Sequence, residues 1–141
     1  MAEENGTPRR LNGKCLCGAV EYAVADAFEY ALNCHCSNCR RATGSAFKAF
    51  AGIGRASLEL TKGADGVLIY GNEQEAHDIH CATCGSLLYS VVREGLYAHV
   101  TMGTLTDAPS IRPSAHIFAG SKAPWFEITD GLPAYDEFPD D

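Results

Sequence analysis

Apolar and polar residues alternate with a period of two along much of this chain. Val20, Tyr22 and Val24 alternate with alanine and glutamate, as expected of a strand with one buried face. Other short segments rich in β-branched and aromatic residues are separated by glycine, aspartate and asparagine, which favour turns. These segments span 28–33, 46–51, 57–61, 67–71, 76–80, 86–92, 96–102 and 115–119. The pattern predicts an all-β fold, with helix only in a short turn after Cys36 and another over 122–126.

The length of the chain and its apolar runs limit the class of protein. A chain of 141 residues fits one domain, so we expect a single domain over 1–141 with flexible ends at 1–10 and 136–141. No apolar stretch is long enough to span a bilayer, and 1–10 carry no apolar signal region. We therefore expect a cytoplasmic protein with no membrane partner.

The charge balance argues against a nucleic-acid partner. The formal net charge is -7 at pH 7, whereas binding to a phosphate backbone needs lysine and arginine. Acidity of this kind favours solubility. The oligomeric state is not predicted by the sequence.

Seven cysteines carry the chemistry, and all of them fall in three clusters. Close spacing suits a zinc ion, which takes sulfur ligands at ~2.3 Å in a tetrahedron. A framework made only of disulfides would leave one of the seven thiols over. In a reducing compartment, clustered cysteines bind metal more often than they form disulfides. The clusters therefore predict metal sites.

The two outer pairs together predict a closed four-sulfur site. Each pair forms a turn that precedes a strand, and a glycine follows the second cysteine, at Gly18 and Gly85. Glycine tolerates the left-handed backbone that such a turn often requires. Four thiolates saturate zinc, so this site would stabilise the fold and bind no substrate. The alternative is four free cysteines that bind no metal. The predicted ligands are Cys15, Cys17, Cys81 and Cys84.

The central cluster, called the triplet below, predicts an open site. It consists of Cys34, Cys36 and Cys39. Three thiolates leave one zinc coordination position free, and a thiol that binds there loses its proton and remains a soft nucleophile. The alternative is a closed site with His35, His77 or His80 as the fourth ligand. His35 lies between two of the ligands, so we expect its side chain to point away from the metal.

Arg40 and Arg41 follow the triplet directly and, with Lys48, form a local cluster of cations. One interpretation is that they bind a carboxylate of an anionic ligand. The other is an internal ion pair or a solvated face, since runs of charge are usually solvated.

With these residues in view, the chain resembles the glutathione-dependent formaldehyde-activating enzyme family. The resemblance extends almost from end to end. It rests on the motifs at 13–22, 34–41, 81–86, 103–107, 116–118, 121–125 and 130–135.

The resemblance implies a curled, mostly antiparallel β-fold with zinc knuckles, similar to a zinc-containing chaperone of Rab GTPases. It implies two zinc ions, a structural one on the four outer cysteines and a catalytic one on the triplet. It also implies carbon–sulfur lyase activity, the condensation of glutathione with formaldehyde to S-hydroxymethylglutathione and the reverse.

Our hypothesis is a zinc enzyme that joins a small thiol such as glutathione to an aldehyde, with Arg40 or Arg41 holding a carboxylate of the thiol. Two alternatives stay open. One is a zinc-stabilised protein-binding module without catalysis. The other is a redox sensor whose triplet thiols oxidise reversibly, which would need accessible thiols of low pKa without bound metal.

Overall fold

The computed structural model describes residues 8–139, and most of its regular secondary structure is β-strand. Within these residues the chain forms ten strands and one α-helix. They are β1 (Arg10–Lys14), β2 (Glu21–Ala25), β3 (Tyr30–Cys34), α1 (Ser37–Thr43), β4 (Lys48–Gly54), β5 (Leu58–Lys62), β6 (Val67–Asn72), β7 (Ala76–Cys81), β8 (Leu87–Val92), β9 (Tyr97–Thr101) and β10 (His116–Ile117). The predicted ends at 1–10 and 136–141 lie partly outside the described residues, in 1–7 and 140–141.

The described strands form two sheets. The smaller sheet has the order β1-β2-β5, and the larger has the order β10-β3-β4-β9-β8-β7-β6. All neighbouring strands are antiparallel except β10, which lies parallel to β3. The mostly antiparallel β-fold predicted from the sequence is therefore confirmed. Among the described residues, no helix has the length and apolar character needed to cross a membrane.

The main hydrophobic core lies between the two sheets. The small sheet contributes Leu11, Tyr22 and Val24, all fully buried, and the large sheet contributes residues such as Val91 and Val100. This is the alternation of Tyr22 and Val24 that the sequence shows, because every second residue of a strand faces the same side. The sheet packing also fixes where the ends of β1 and β7 meet, and both ends carry cysteines.

The other face of the large sheet, called the outer face below, carries polar and aromatic side chains. Residues paired directly across neighbouring strands share a face. The register pairs Tyr30 with Gly52, Gly52 with His99, His99 with Ser90 and Ser90 with Asp78. These residues of five strands therefore share one surface, and α1 lies against it.

The sequence prediction succeeds for most elements and fails for two. Each of the nine predicted strand segments overlaps one of β2 to β10, and the predicted helix after Cys36 is α1. The helix predicted over 122–126 is wrong, because the structure has only a turn there, closed by Phe126 N–H to Ala123 O at 3.2 Å. Pro124 accounts for this, since it disfavours helical backbone in the residue before it. The strand β1 was not predicted.

Candidate metal centres

The four outer cysteines come together where β1 and β7 end. Their sulfurs lie within 4.8 Å of one another. The distance between sulfurs is 3.7 Å for Cys15 and Cys17 and 3.8 Å for Cys17 and Cys81. A tetrahedron with metal–sulfur bonds of ~2.3 Å has edges of about 3.8 Å, whereas a disulfide needs about 2.05 Å. This donor set therefore fits a metal ion of zinc-like size.

The backbone of both turns is shaped to hold sulfur. Gly18 and Gly85 have φ of 82° and 83°, so the left-handed conformation expected after each pair is confirmed. Backbone N–H groups point at the sulfurs, with Val20 donating to Cys15 at 3.3 Å and Thr83 donating to Cys81 at 3.4 Å. Such donors favour the thiolate form that binds metal.

Ser86 joins the two turns, and sequence reasoning missed its role. Its Oγ accepts a hydrogen bond from the backbone N–H of Leu16 at 2.9 Å and lies 3.3 Å from the sulfur of Cys84. The hydrogen bond from Ser86 is the main cause that lowers the pKa of Cys84 to about 5. A short polar side chain directly after a cysteine–glycine pair was the available signal.

The triplet sulfurs form a second group within 4.8 Å of one another. Cys34 ends β3, Cys36 is the N-cap of α1, and the backbone N–H of Cys39 donates to the sulfur of Cys36 at 3.3 Å. The hydrogen bond between the side chains of Cys34 and Cys39 is the main cause that lowers the pKa of Cys34 to about 6. Three soft donors, one of them readily ionised, fit a thiophilic metal ion. Within residues 8–139, no histidine nitrogen belongs to this group.

His35 is fully buried and contacts partners away from the three sulfurs. Its Nε2 lies 2.8 Å from Nδ1 of His116, and Nε2 of His116 lies 2.8 Å from a carboxylate oxygen of Asp130. The rings of Phe47 and Phe126 pack beside it, with centroids at 5.0 and 6.1 Å. The motif residues of the C-terminal region thus hold the loop that carries Cys34 and Cys36.

The two arginines after the triplet lie in different surroundings. Arg41 is exposed and lines a cavity beside α1. Arg40 is half-buried, and its Nε has no hydrogen-bond partner among the described residues. It lies on the side of His35, whose pKa is lowered by burial and then by the charges of His116, Lys122 and Arg40. Only Arg41 is therefore placed to meet a ligand in this cavity.

The cavity beside α1 has a volume of about 610 Å³. Helix and outer face both contribute to its wall, which includes Asn38, Arg41, Tyr70, Asp78, Ser90 and Val92. Lys48, buried on β4, donates from Nζ to Ser90 Oγ at 3.0 Å, and Ser90 Oγ donates to Asp78 Oδ1 at 2.6 Å. The cavity is thus bounded by a chain of polar groups that begins near the triplet.

An aromatic cluster continues the outer face beyond Lys48. The hydroxyl of Tyr30 lies 2.7 Å from Nε2 of His99 and accepts a hydrogen bond from Arg93 at 3.2 Å. His99 stacks on Phe50 with centroids 4.4 Å apart. Burial is the main cause that lowers the pKa of His99 to about 4, and the charges of Lys48 and Arg93 add to it. His99 is therefore neutral at pH 7.

Comparison with known proteins gives a family profile, a sequence relative and a solved structure. The sequence profile of the family described as glutathione-dependent formaldehyde-activating enzyme matches residues 10–121. A protein of Halomonas elongata described as "Putative glutathione-dependent formaldehyde-activating enzyme" is 30% identical over 128 residues, which is 84% of this chain and 80% of that protein. A crystal structure of a Rhodobacter sphaeroides protein matches with a TM-score of 0.58 and 29% identity, covering 70% of this chain and 91% of that one. The profile match includes both cysteine sites, and this chain belongs to the glutathione-dependent formaldehyde-activating enzyme family.

Proposed function

We propose that this protein is a zinc-dependent carbon–sulfur lyase that forms and cleaves adducts of a small thiol and an aldehyde. The observation that carries the proposal is a group of three cysteines at the end of β3 and the start of α1, the helix that also walls a cavity of about 610 Å³. Family membership supports glutathione as the thiol and formaldehyde as the aldehyde. The product of condensation would be S-hydroxymethylglutathione.

The two cysteine groups would have different roles. Cys15, Cys17, Cys81 and Cys84 would hold a structural zinc, and Cys34, Cys36 and Cys39 would hold a catalytic one. Three cysteines would leave one coordination position of the zinc for the substrate thiol, and the ion would supply the charge that lowers the pKa of that thiol. Arg41 would bind a carboxylate of the thiol compound, because this residue lines the cavity and a guanidinium group suits planar carboxylates.

The direct experiment follows exchange between glutathione and its formaldehyde adduct by NMR in zinc-loaded protein. The adduct also forms without a catalyst, so a sample without enzyme supplies the baseline. Cys36→Ala removes one triplet ligand and should reduce the enzyme-dependent exchange to that baseline. Glu59→Gln, an exposed change on the smaller sheet, is the matched control. Undiminished exchange with Cys36→Ala would contradict the proposal.

A second candidate function is a protein-binding module in which both zinc ions are structural. The observation that favours it is the edge strand β6, where Leu68, Ile69 and Tyr70 are 58%, 40% and 74% exposed. Exposed edges of this kind can pair with another chain. Cobalt-substituted protein titrated with glutathione separates the two functions. A changed ligand field supports the open site, and an unchanged one supports the module.

Three further expectations stay proposals. They are a single domain over 1–141, a cytoplasmic location, and a likeness of the fold to the zinc-containing chaperone of Rab GTPases. Family membership supports the last of these.

A further inference from the structure

Lys48 is a buried cation beside the triplet, and the function proposed above gives it no role. Its side chain is 7% exposed. It pairs in register with Cys34 across β3 and β4, so the Cβ atoms of the two residues lie about 5 Å apart on the outer face. Burying an ammonium group is unfavourable unless it is paired and hydrogen-bonded. A buried ammonium group at this position therefore needs hydrogen-bond acceptors, either in the protein or in a ligand.

The hydrogen bonds that Lys48 makes use only some of the N–H donors of its ammonium group. An ammonium group has three N–H donors. One of them is donated to Ser90 Oγ at 3.0 Å, and no second acceptor for Nζ occurs among residues 8–139. Ser90 Oγ in turn donates a hydrogen bond to Asp78 Oδ1 at 2.6 Å. Because Ser90 and Asp78 both line the cavity, the ammonium group lies between the cavity and the triplet with donors to spare.

The chemistry of thiol addition creates a need for such a donor. When a thiolate attacks an aldehyde, a carbon–sulfur bond forms and the π electron pair of the carbonyl moves to oxygen. The oxygen becomes negative and then takes a proton from solvent; in the reverse direction it loses that proton as the carbon–sulfur bond breaks. The negative charge therefore develops on an oxygen two bonds from sulfur. A fixed cation beside that oxygen, in a site shielded from water, stabilises the charge strongly.

We propose that Lys48 is a catalytic residue that donates a hydrogen bond to the aldehyde-derived oxygen of the adduct, while Ser90 and Asp78 hold the ammonium group in place. This inference rests on the proposed function, since it assumes a thiol at the triplet. It specifies the substrate as an adduct whose oxygen is attached to the carbon next to sulfur. A purely structural Lys48 would only link β4 to β7 and β8.

Binding of two short thiols separates these roles without measuring turnover. Mercaptoacetate carries anionic oxygens one bond further from sulfur than the oxygen of the adduct, and ethanethiol carries none. Calorimetric titration of zinc-loaded wild-type protein should show mercaptoacetate binding about tenfold more tightly. Lys48→Met should reduce this preference to less than about twofold, with little change for ethanethiol. Glu59→Gln, the exposed change on the smaller sheet, should leave the preference intact.

Turnover supplies the second readout. Lys48→Met should lower the maximal rate of adduct formation about 100-fold, as for other losses of a group that stabilises developing negative charge, while the KM for glutathione stays within about threefold. If Lys48→Met does not fold, Asp78→Asn keeps the amine but weakens its anchor, and should lower the preference for mercaptoacetate about threefold.

The outcomes are distinct. A preference that is absent in wild-type protein, or that persists in Lys48→Met and in Asp78→Asn, overturns the role of Lys48 and leaves the proposed function standing. Failure of both thiols to bind wild-type protein overturns the proposed function and this inference with it. A preference lost in Lys48→Met and kept in Glu59→Gln supports the inference.

Discussion

His35 and His116 lie 81 residues apart in the chain, and their rings are joined by a hydrogen bond of 2.8 Å between Nε2 of His35 and Nδ1 of His116. The hydrogen bond from His116 is the main cause that lowers the pKa of Asp130, so this carboxylate accepts the proton on Nε2 of His116. The three side chains form one hydrogen-bonded chain, which fixes the ring of His35 next to Cys34 and Cys36.

Removing this bond should weaken metal binding at the triplet alone. His116→Leu leaves His35 buried without its partner, and we expect the affinity of the triplet for zinc to fall about tenfold, as for other groups that orient metal ligands. Asp130→Asn, which keeps a weaker acceptor, should have a smaller effect. Competition with a chelator, followed by zinc stoichiometry, measures both sites. Equal loss of zinc from the four-cysteine site would contradict the prediction.

Loss of the two sites should affect stability unequally. The four-cysteine site joins the ends of β1 and β7, which belong to different sheets, so its binding energy contributes to folding. Cys17 is exposed, and Cys17→Ser therefore changes metal binding without disturbing the core. We expect it to lower the Tm of zinc-loaded protein by more than about 10 °C.

The matched variant is Cys36→Ser, in a half-buried position on a short helix. It should lower the Tm less than Cys17→Ser does, because α1 and its loop are also held by His35 and His116. Thermal melts followed by circular dichroism compare the two. The reverse order would show that the triplet, and not the four-cysteine site, stabilises the fold.

His99 should make stability depend on pH. Its pKa is about 4 in the folded protein, mainly through burial, and about 6.5 in the unfolded chain. The unfolded chain therefore binds the proton first, and stability that is fully present above pH 6.5 is lost as the pH falls toward 4. Tyr30, Lys48 and Arg93 face the ring, and both charged groups oppose its protonation.

Between pH 7 and pH 5 this contribution amounts to about 2 kcal/mol of unfolding free energy. His99→Gln lacks the titrating ring, so the difference in urea-unfolding free energy between wild type and variant isolates it. Loss of metal at low pH is common to both proteins and cancels. Parallel pH profiles for the two would show that His99 titrates normally.

Local sequence patterns predicted the cysteine sites. The contacts that support them depend on pairing between residues far apart in the chain. The cysteines within each cluster are close in sequence, so their convergence follows from spacing alone. The link from His35 to His116 depends on β10 lying parallel to β3, which no local pattern specifies. β1 was missed because Gly13 interrupts its alternation. A Cβ at Gly13 would lie 2.2 Å from the Tyr22 ring, so glycine is required there by a residue of the neighbouring strand.

The structure also divides the roles of two arginines that are adjacent in the sequence. Arg41 lines the cavity and Arg40 does not, so Arg41→Met should weaken glutathione binding threefold to tenfold, a range that allows for solvent screening of an exposed side chain. Arg40→Met should change it by less than about twofold, and neither should change binding of ethanethiol, which has no carboxylate. Titration of zinc-loaded proteins with both thiols measures the contrast. Equal losses from both variants would mean that the pair acts only through net charge, because a screened field does not distinguish neighbouring positions whereas a bidentate contact does.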